Sequence, residues 1–136
     1  MNCSAAEAKK QQIYFQYEVN FTAHIPVAPV DLCAILGNQI ENALEANRQI
    51  TDISARYVKI MLTQKKGFLI FRVENASTEN PFSESGALKT RKEDGNLHGL
   101  GIKNIQDTVN KYNGWLKNSY DNHTFISEVL LCVSTV

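Results

Sequence analysis

Residues 31–47, DLCAILGNQIENALEAN, form the stretch that decides the fold. At about 100° per residue, a helix over this stretch gathers large apolar side chains on one side and Asn38, Asn42 and Glu45 on the other. Asp31 or a neighbour is predicted to cap its start. The sequence therefore predicts a helix that packs through one face and presents two amides and a carboxylate on the opposite face. Taken alone, that polar face also fits the solvated side of any amphipathic helix. The apolar set is Leu32, Ile35, Leu36, Ile40 and Ala43.

The composition is typical of one globular domain. The chain has 136 residues, is 43% hydrophobic and 21% charged, and carries 14 basic and 14 acidic side chains. This length can bury a core without disulfides or a structural metal. Because the formal charges cancel, nothing draws the chain generally toward nucleic acid or anionic lipid. Nucleic acid is not expected as a partner, and any bound anion must be held by a local arrangement of residues.

Cysteine spacing and hydropathy exclude several classes. The three cysteines are scattered, without C-x-x-C spacing, and predict neither a disulfide framework nor a zinc site. The N-terminus lacks the pattern of a signal peptide, and no apolar run approaches the roughly twenty residues that cross a bilayer. We expect a cytoplasmic domain. A membrane anchor of the parent protein would lie outside these residues.

The flanking segments predict a single domain over residues 13–136, preceded by residues 1–12 as the end of a helix that begins elsewhere. Aromatic and β-branched residues predict a strand over 13–21. Two further strand patterns, over 56–62 and 68–74, are separated by a short polar stretch that ends in glycine, and they predict an antiparallel hairpin.

The second half of the chain begins with a long polar stretch, residues 76–97. A connection of this length inside a domain is usually a lid or a binding loop. A helix is predicted from the spacing of Ile102, Ile105, Val109 and Tyr112, and a closing hairpin is predicted over 115–117 and 125–133 around a loop at 119–123. The element order predicts a mostly antiparallel sheet with its helices on one face.

Gly99, Leu100 and Gly101 stand directly before that second helix. Glycines there can bring bare backbone N–H groups and the positive end of a helix dipole to a phosphate. Neither a Rossmann fingerprint nor a Walker A loop is present, and a glycine pair alone equally fits a loop that leads into a helix. Amide and carboxylate oxygens on the first helix suit Mg²⁺, which takes its remaining ligands from water and substrate phosphates. The helix and the glycine turn would then be two halves of one nucleotide site.

Two motifs resemble a known family. Residues 38–46, NQIENALEA, resemble the N box of the GHKL (Bergerat-fold) ATPases, and residues 98–105, HGLGIKNI, resemble their second glycine box. The order of these motifs and the hairpin and lid between them also agree, so the resemblance covers nearly the whole chain. It is most similar to the ATP-binding domains of Agr-type peptide-pheromone sensor histidine kinases. It implies the α+β class: a two-layer α/β sandwich with a mixed, mostly antiparallel sheet, about three helices on one face and an ATP lid.

The resemblance implies a histidine kinase catalytic domain that binds ATP and Mg²⁺ between the N-box helix and the lid. It implies that the γ-phosphoryl passes to a histidine on a separate dimerisation domain, with a response regulator as a further partner and a membrane-anchored parent protein. Asn42 is implied as the metal ligand and Asn38 as its support, and these two are the implied catalytic residues. The other implied nucleotide-binding residues are Glu45, Asn75, Lys89, Arg91, Lys92, His98, Gly99, Leu100, Gly101, Ile102 and Lys103. The three basic residues at 89–92 also fit a solvated charge cluster.

Two positions depart from other members of the superfamily. Hydrolytic members carry a water-activating Glu where this chain has Asn38, and an amide cannot act as a base, so the resemblance favours phosphoryl transfer over hydrolysis. Most members bind adenine through an Asp in a first glycine box, where this chain has Asn75 and neither glycine. An ordinary turn asparagine also fits Asn75. Two alternatives stay open: an interaction module with weakened nucleotide binding, and a Ser/Thr kinase of the anti-sigma type.

Overall fold

The computed structural model describes residues 2–21, 25–65, 67–78 and 95–133. Three α-helices, a short 3₁₀ turn and five strands follow one another over these residues. Their bounds are α1 Asn2–Lys10, β1 Tyr14–Asn20, α2 Pro29–Arg48, the 3₁₀ turn Ile53–Ala55, β2 Tyr57–Lys65, β3 Phe68–Ala76, α3 Gly95–Lys111, β4 Trp115–Asp121 and β5 Thr124–Cys132.

The five strands form one mixed sheet in the order β1-β2-β3-β5-β4. β1 runs parallel to β2, and the other three pairs are antiparallel. Strands β2 and β3 form the predicted hairpin. The prediction of a mixed, mostly antiparallel sheet is therefore confirmed, and the parallel pair arises because α2 separates β1 from β2 along the chain.

The core lies between one face of the sheet and the helices. Alternate residues of the central strands are buried on that face, and α2, α3 and Ala8 of α1 pack over them. The opposite face leaves Met61, Phe68 and Trp115 exposed. The two-layer α/β sandwich of the α+β class is confirmed. The strand residues of this core include Val58, Ile60, Leu62, Leu69, Phe71, Val73, Val129 and Leu131.

Helix α2 begins earlier than predicted and without a side-chain cap. Its N-cap is Ala28, and Pro29 occupies the first turn, where the missing N–H of proline is no loss. The prediction that Asp31 caps the helix is wrong, because its carboxylate accepts hydrogen bonds from Lys111 and Tyr112 on the other side of a helix interface. Gln39 and Asn47 are also buried on the core side of α2, although the apolar spacing did not predict them.

The closing hairpin is tighter than predicted. Strand β4 continues to Asp121 and β5 begins at Thr124, so only two residues connect them. Asn122 and His123 have φ angles of 48° and 61°, the left-handed values of a type I′ turn. The predicted loop at 119–123 was too long because polar residues on the solvent face of a strand resemble loop residues in composition. Among the described helices, none is both long and apolar enough to cross a membrane.

Candidate nucleotide site

The two predicted motifs meet where α2 packs against α3. A Cβ added at Gly101 would lie 3.1 Å from Oδ1 of Asn38 and 3.7 Å from its Cγ. Asn38 Nδ2 donates to the carbonyl of Ala34 one turn earlier, which holds the side chain against its own helix. The buried Gly101 therefore allows α3 to approach the amide of Asn38 more closely than any other residue type would.

The polar stripe of α2 is less buried than Ile35, Gln39 and Ala43 on the core side of the helix. Asn38, Asn42 and Glu45 are half-buried, whereas Ile35 and Ala43 are buried. The side chain of Asn42 makes no hydrogen bond to any residue that the structure describes. Its amide oxygen is therefore available to a ligand at the boundary between core and solvent.

Asn75 lies near the end of β3 on the helix-covered face of the sheet. It is 2% exposed, and its Nδ2 donates to the Ala76 carbonyl at 2.9 Å. It shares that face with Phe71 and Val73, because alternate residues of a strand point to the same side. An ordinary turn asparagine need not be buried to this extent. The hydrogen bond to the Ala76 carbonyl occupies the amide nitrogen.

The placement of the glycine box differs from the prediction. Gly99 and Gly101 were expected in a turn before the second helix, but α3 begins at Gly95 and includes both. The segment is helical despite the low helix propensity of glycine, and the close approach of Gly101 to Asn38 shows that packing against α2 favours a residue without a side chain at that position. Only the first four N–H groups of a helix lack partners within it, so the free amides belong to the first turn of α3.

The remaining predicted site residues fall into two groups. His98, Gly99, Leu100, Ile102 and Lys103 all lie on α3, where Ile102 is half-buried and Lys103 is exposed. Lys89, Arg91 and Lys92 lie outside the described residues. The structure thus brings the N box and the glycine box together.

A charged cluster joins the far ends of the same two helices. Asp31 Oδ1 accepts from Lys111 Nζ at 2.9 Å, its Oδ2 accepts from the Tyr112 hydroxyl, and the Ala28 N–H donates to that hydroxyl at 3.3 Å. The hydrogen bond from Tyr112, then that from Lys111, lowers the pKa of Asp31. The same contacts raise the pKa values of Tyr112 and Lys111. No local pattern predicts this cluster, because its members are about eighty residues apart in the chain.

A separate metal centre of His, Cys, Asp or Glu is not found among the residues that the structure describes. Within the described part of the chain, no group of three or more His, Cys, Asp or Glu side chains could hold a metal ion. A metal at the candidate site would need amide oxygens from α2 together with ligands that a substrate brings.

Comparison with known proteins identifies the family. The sequence matches the family model of the GHKL domain over residues 27–132. This chain belongs to the GHKL domain family. No curated protein matches it.

The GHKL domain shares its fold with solved histidine kinase catalytic domains. The nucleotide-free catalytic domain of histidine kinase ThkA superposes with a TM-score of 0.74 at 15% identity, over 96% of this chain and 86% of that one. The histidine kinase domain of the blue-light-activated kinase EL346 from Erythrobacter litoralis gives 0.67 at 13%, over 96% and 58%. Full-length ShkA in complex with AMPPNP gives 0.74 at 16%, over 99% of this chain but only 29% of ShkA. At these identities the likeness establishes the fold.

Proposed function

We propose that this GHKL domain is the catalytic and ATP-binding domain of a sensor histidine kinase of the Agr type. It binds Mg-ATP and transfers the γ-phosphoryl group to a histidine on a separate dimerisation domain, from which a response regulator receives it. The parent protein is a receptor anchored in a membrane outside these residues. The observation that carries the proposal is the contact between Asn38 and Gly101, because it joins the N box and the second glycine box into one surface.

The side chains of α2 suit a metal that arrives with its nucleotide. Mg²⁺ prefers oxygen ligands and keeps several waters, so one protein oxygen and the substrate phosphates are a sufficient set. Asn42 offers such an oxygen, since its half-buried amide makes no hydrogen bond to the described residues. When bound, Mg²⁺ neutralises charge on the phosphoryl oxygens. Asn42 holds it, and Asn38 supports the metal or the phosphates.

Asn38 favours transfer to an acceptor over hydrolysis. Its Nδ2 donates to the Ala34 carbonyl, and an amide has no basic site with which to activate water. The domain therefore orients the phosphates and leaves the nucleophile to the partner domain. Positioning and charge stabilisation are the main requirements of phosphoryl transfer.

Adenine and phosphate contacts complete the proposed site. Asn75 donates through Nδ2 to Ala76, which leaves Oδ1 to accept the adenine amino hydrogen. The first turn of α3, which ends at His98, offers free amides and the positive end of the helix dipole to the phosphates, and residues 99–103 follow directly after it. Glu45 borders the same surface, and Lys89, Arg91 and Lys92 neutralise phosphate charge from the long connection.

Calorimetry with AMPPNP tests the proposal. We expect binding that strengthens at least about tenfold when Mg²⁺ replaces EDTA, because the metal links the phosphates to Asn42. Mixing the chain with ATP and a separately purified histidine-bearing dimerisation domain should then label that histidine. Absence of AMPPNP binding at millimolar ligand in the presence of Mg²⁺ would refute the kinase function.

Asn75 favours a second candidate, an interaction module with weakened nucleotide binding. A neutral amide accepts a weaker hydrogen bond than a carboxylate does. If the wild-type chain fails to bind AMPPNP and Asn75→Asp binds it, this second function is the better account. Binding of AMPPNP by the wild-type chain with micromolar Kd would exclude it.

A further inference from the structure

Gln39 is a buried polar residue on the core side of α2. It is 1% exposed, and its Nε2 lies 3.4 Å from the Phe71 carbonyl oxygen, 3.3 Å from the Ser127 carbonyl oxygen and 3.2 Å from Ser127 Oγ. Phe71 and Ser127 belong to β3 and β5, which are neighbours in the sheet. One amide therefore ties the middle of α2 to two central strands.

The orientation of this amide is fixed by its acceptors. Reversing it would place Oε1 against two carbonyl oxygens, which cannot donate. In the observed orientation Oε1 is buried, and no hydrogen-bond partner for it exists within the described residues. A buried unpaired oxygen lowers the stability of the fold, so an apolar side chain of similar size would serve stability at least as well. The advantage of Gln39 over an apolar residue is therefore not stability. Its hydrogen bonds are directional, whereas apolar packing is not.

Gln39 stands next to the proposed metal and phosphate residues on the same rigid helix. At about 100° per residue, Asn38 and Asn42 project to the same side of Gln39, about 100° and 60° away around the axis. A rotation of α2 by about 10° would move an atom about 6 Å from that axis by about 1 Å. Displacements of this size at a reactive site lower rates by up to about a hundredfold.

We propose that Gln39 is a positioning residue, whose hydrogen bonds to the sheet set the rotation of α2 and thereby aim Asn38 and Asn42 at the metal and phosphates. This inference rests on the proposed function. It predicts that nucleotide binding weakens while stability stays the same or rises when the hydrogen bonds are replaced by apolar contacts, a result that a merely structural role would not give.

The test is a double variant, Gln39→Met with Ser127→Ala, which removes the donor and the hydroxyl acceptor together. We expect its thermal unfolding midpoint to stay the same or rise. The Kd for Mg-AMPPNP should rise about tenfold, and the strengthening of AMPPNP binding by Mg²⁺ should fall. Ile35→Val is the matched control, because Ile35 is fully buried one turn earlier and belongs to the hydrophobic core. It should lower the midpoint and leave both binding quantities unchanged.

A measurement without nucleotide separates this inference from the proposed function. In the free protein, the nuclear Overhauser effect between the Asn38 side chain and the α protons of Gly101 reports the rotation of α2. It should be present in the wild-type chain and in Ile35→Val, and weakened in the double variant. Wild-type Overhauser effect and Kd in the double variant would overturn the role of Gln39 alone. Absence of Mg-AMPPNP binding by the wild-type chain would overturn the proposed function and the inference together.

Discussion

The side chain of Asn47 is hydrogen-bonded to both backbone polar groups of Tyr57. Asn47 Oδ1 accepts from the Tyr57 N–H at 2.9 Å, and Nδ2 donates to the Tyr57 carbonyl at 3.1 Å and to the Ala43 carbonyl at 2.8 Å. Asn47 is fully buried, and these three hydrogen bonds give each polar atom of its amide a partner inside the protein. It fastens the end of α2 to the start of β2, whereas Asn42, five residues earlier, lies off the core.

These two asparagines should respond in opposite ways to alanine substitution. Asn47→Ala removes the side-chain partner of both the Tyr57 N–H and the Tyr57 carbonyl and should lower the free energy of unfolding by about 2–3 kcal/mol. Asn42→Ala should change it by less than about 0.5 kcal/mol and abolish the Mg²⁺-dependent part of AMPPNP binding. Urea denaturation measures the first quantity and calorimetry the second. If Asn42→Ala unfolds the chain as Asn47→Ala does, the polar stripe is structural and the site assignment fails.

Two glycines in helices allow a second matched comparison. Gly101→Ala and Gly37→Ala both replace glycine inside a helix, a change that stabilises by about 1 kcal/mol where space permits. A Cβ at Gly37 meets nothing within 4 Å, but a Cβ at Gly101 meets Asn38 Oδ1 at 3.1 Å. We expect Gly37→Ala to raise stability with unchanged AMPPNP affinity. Gly101→Ala should weaken AMPPNP binding severalfold, because Asn38 must shift.

Thermal unfolding and calorimetry on the same preparations decide this comparison. Unchanged AMPPNP affinity in Gly101→Ala would mean that the contact between the two motifs is incidental to binding. Equal losses of affinity in both variants would mean that replacing any helical glycine by alanine weakens binding, and that the contact of Gly101 with Asn38 has no specific role.

Much of this architecture could be predicted from local patterns. The spacing of apolar residues predicted the core side of α2 and the β2–β3 hairpin. The spacing of Asn38 and Asn42 predicted that both lie away from the core. The buried amides could not be predicted in this way. In the sequence, Gln39 cannot be distinguished from a solvent-exposed polar residue beside Asn38. Its buried hydrogen bonds depend on acceptors that lie 32 and 88 residues later in the chain.

The start of α3 and the closing turn were missed for different reasons. Two glycines in 98–101 favour a turn locally, yet the segment is helical and Gly101 lies against Asn38 of α2. The Asn122-His123 turn requires left-handed backbone at both residues, which asparagine adopts more readily than histidine. At the start of α3, packing against α2 decided against the local preference, whereas at the turn the polar residues near the end of β4 resembled loop residues in composition.

The Asp31 cluster predicts how stability depends on pH. The folded-state pKa of Asp31 lies below the value of about 3.9 in an unfolded chain. Its contribution is therefore fully present above about pH 4 and lost as the pH falls through the lowered pKa. The pKa values of Lys111 and Tyr112 are raised, so their contribution is present at neutral pH and lost as the pH rises through those raised values.

Urea denaturation of the wild-type chain and Asp31→Asn measures this dependence. The wild-type chain should be the more stable at neutral pH, and the difference should shrink as the pH falls below about 4, where Asp31 takes up a proton. Asp107→Asn, at an exposed position on α3, controls for the loss of one carboxylate. A wild-type advantage that stays constant through the acid range would show that Asp31 is not stabilised as its contacts indicate.

Gly114, between α3 and β4, leaves no room for a methyl group. A Cβ there would lie 2.0 Å from the Leu130 carbonyl oxygen and 3.1 Å from Leu131 Cα, both of them backbone atoms of β5. Trp115, the next residue, already pairs with Leu130 in the sheet, so β5 cannot withdraw without breaking the β4–β5 ladder. Gly114→Ala should therefore lower the free energy of unfolding by at least about 3 kcal/mol.

The neighbouring Asn113→Gly is the control, because Asn113 has a φ of 52° that glycine adopts freely, and it should change stability by less than about 1 kcal/mol. Chemical denaturation of both variants, or soluble yield where Gly114→Ala does not fold, measures the contrast. Near wild-type stability of Gly114→Ala would mean that the closing hairpin can move away from the end of α3.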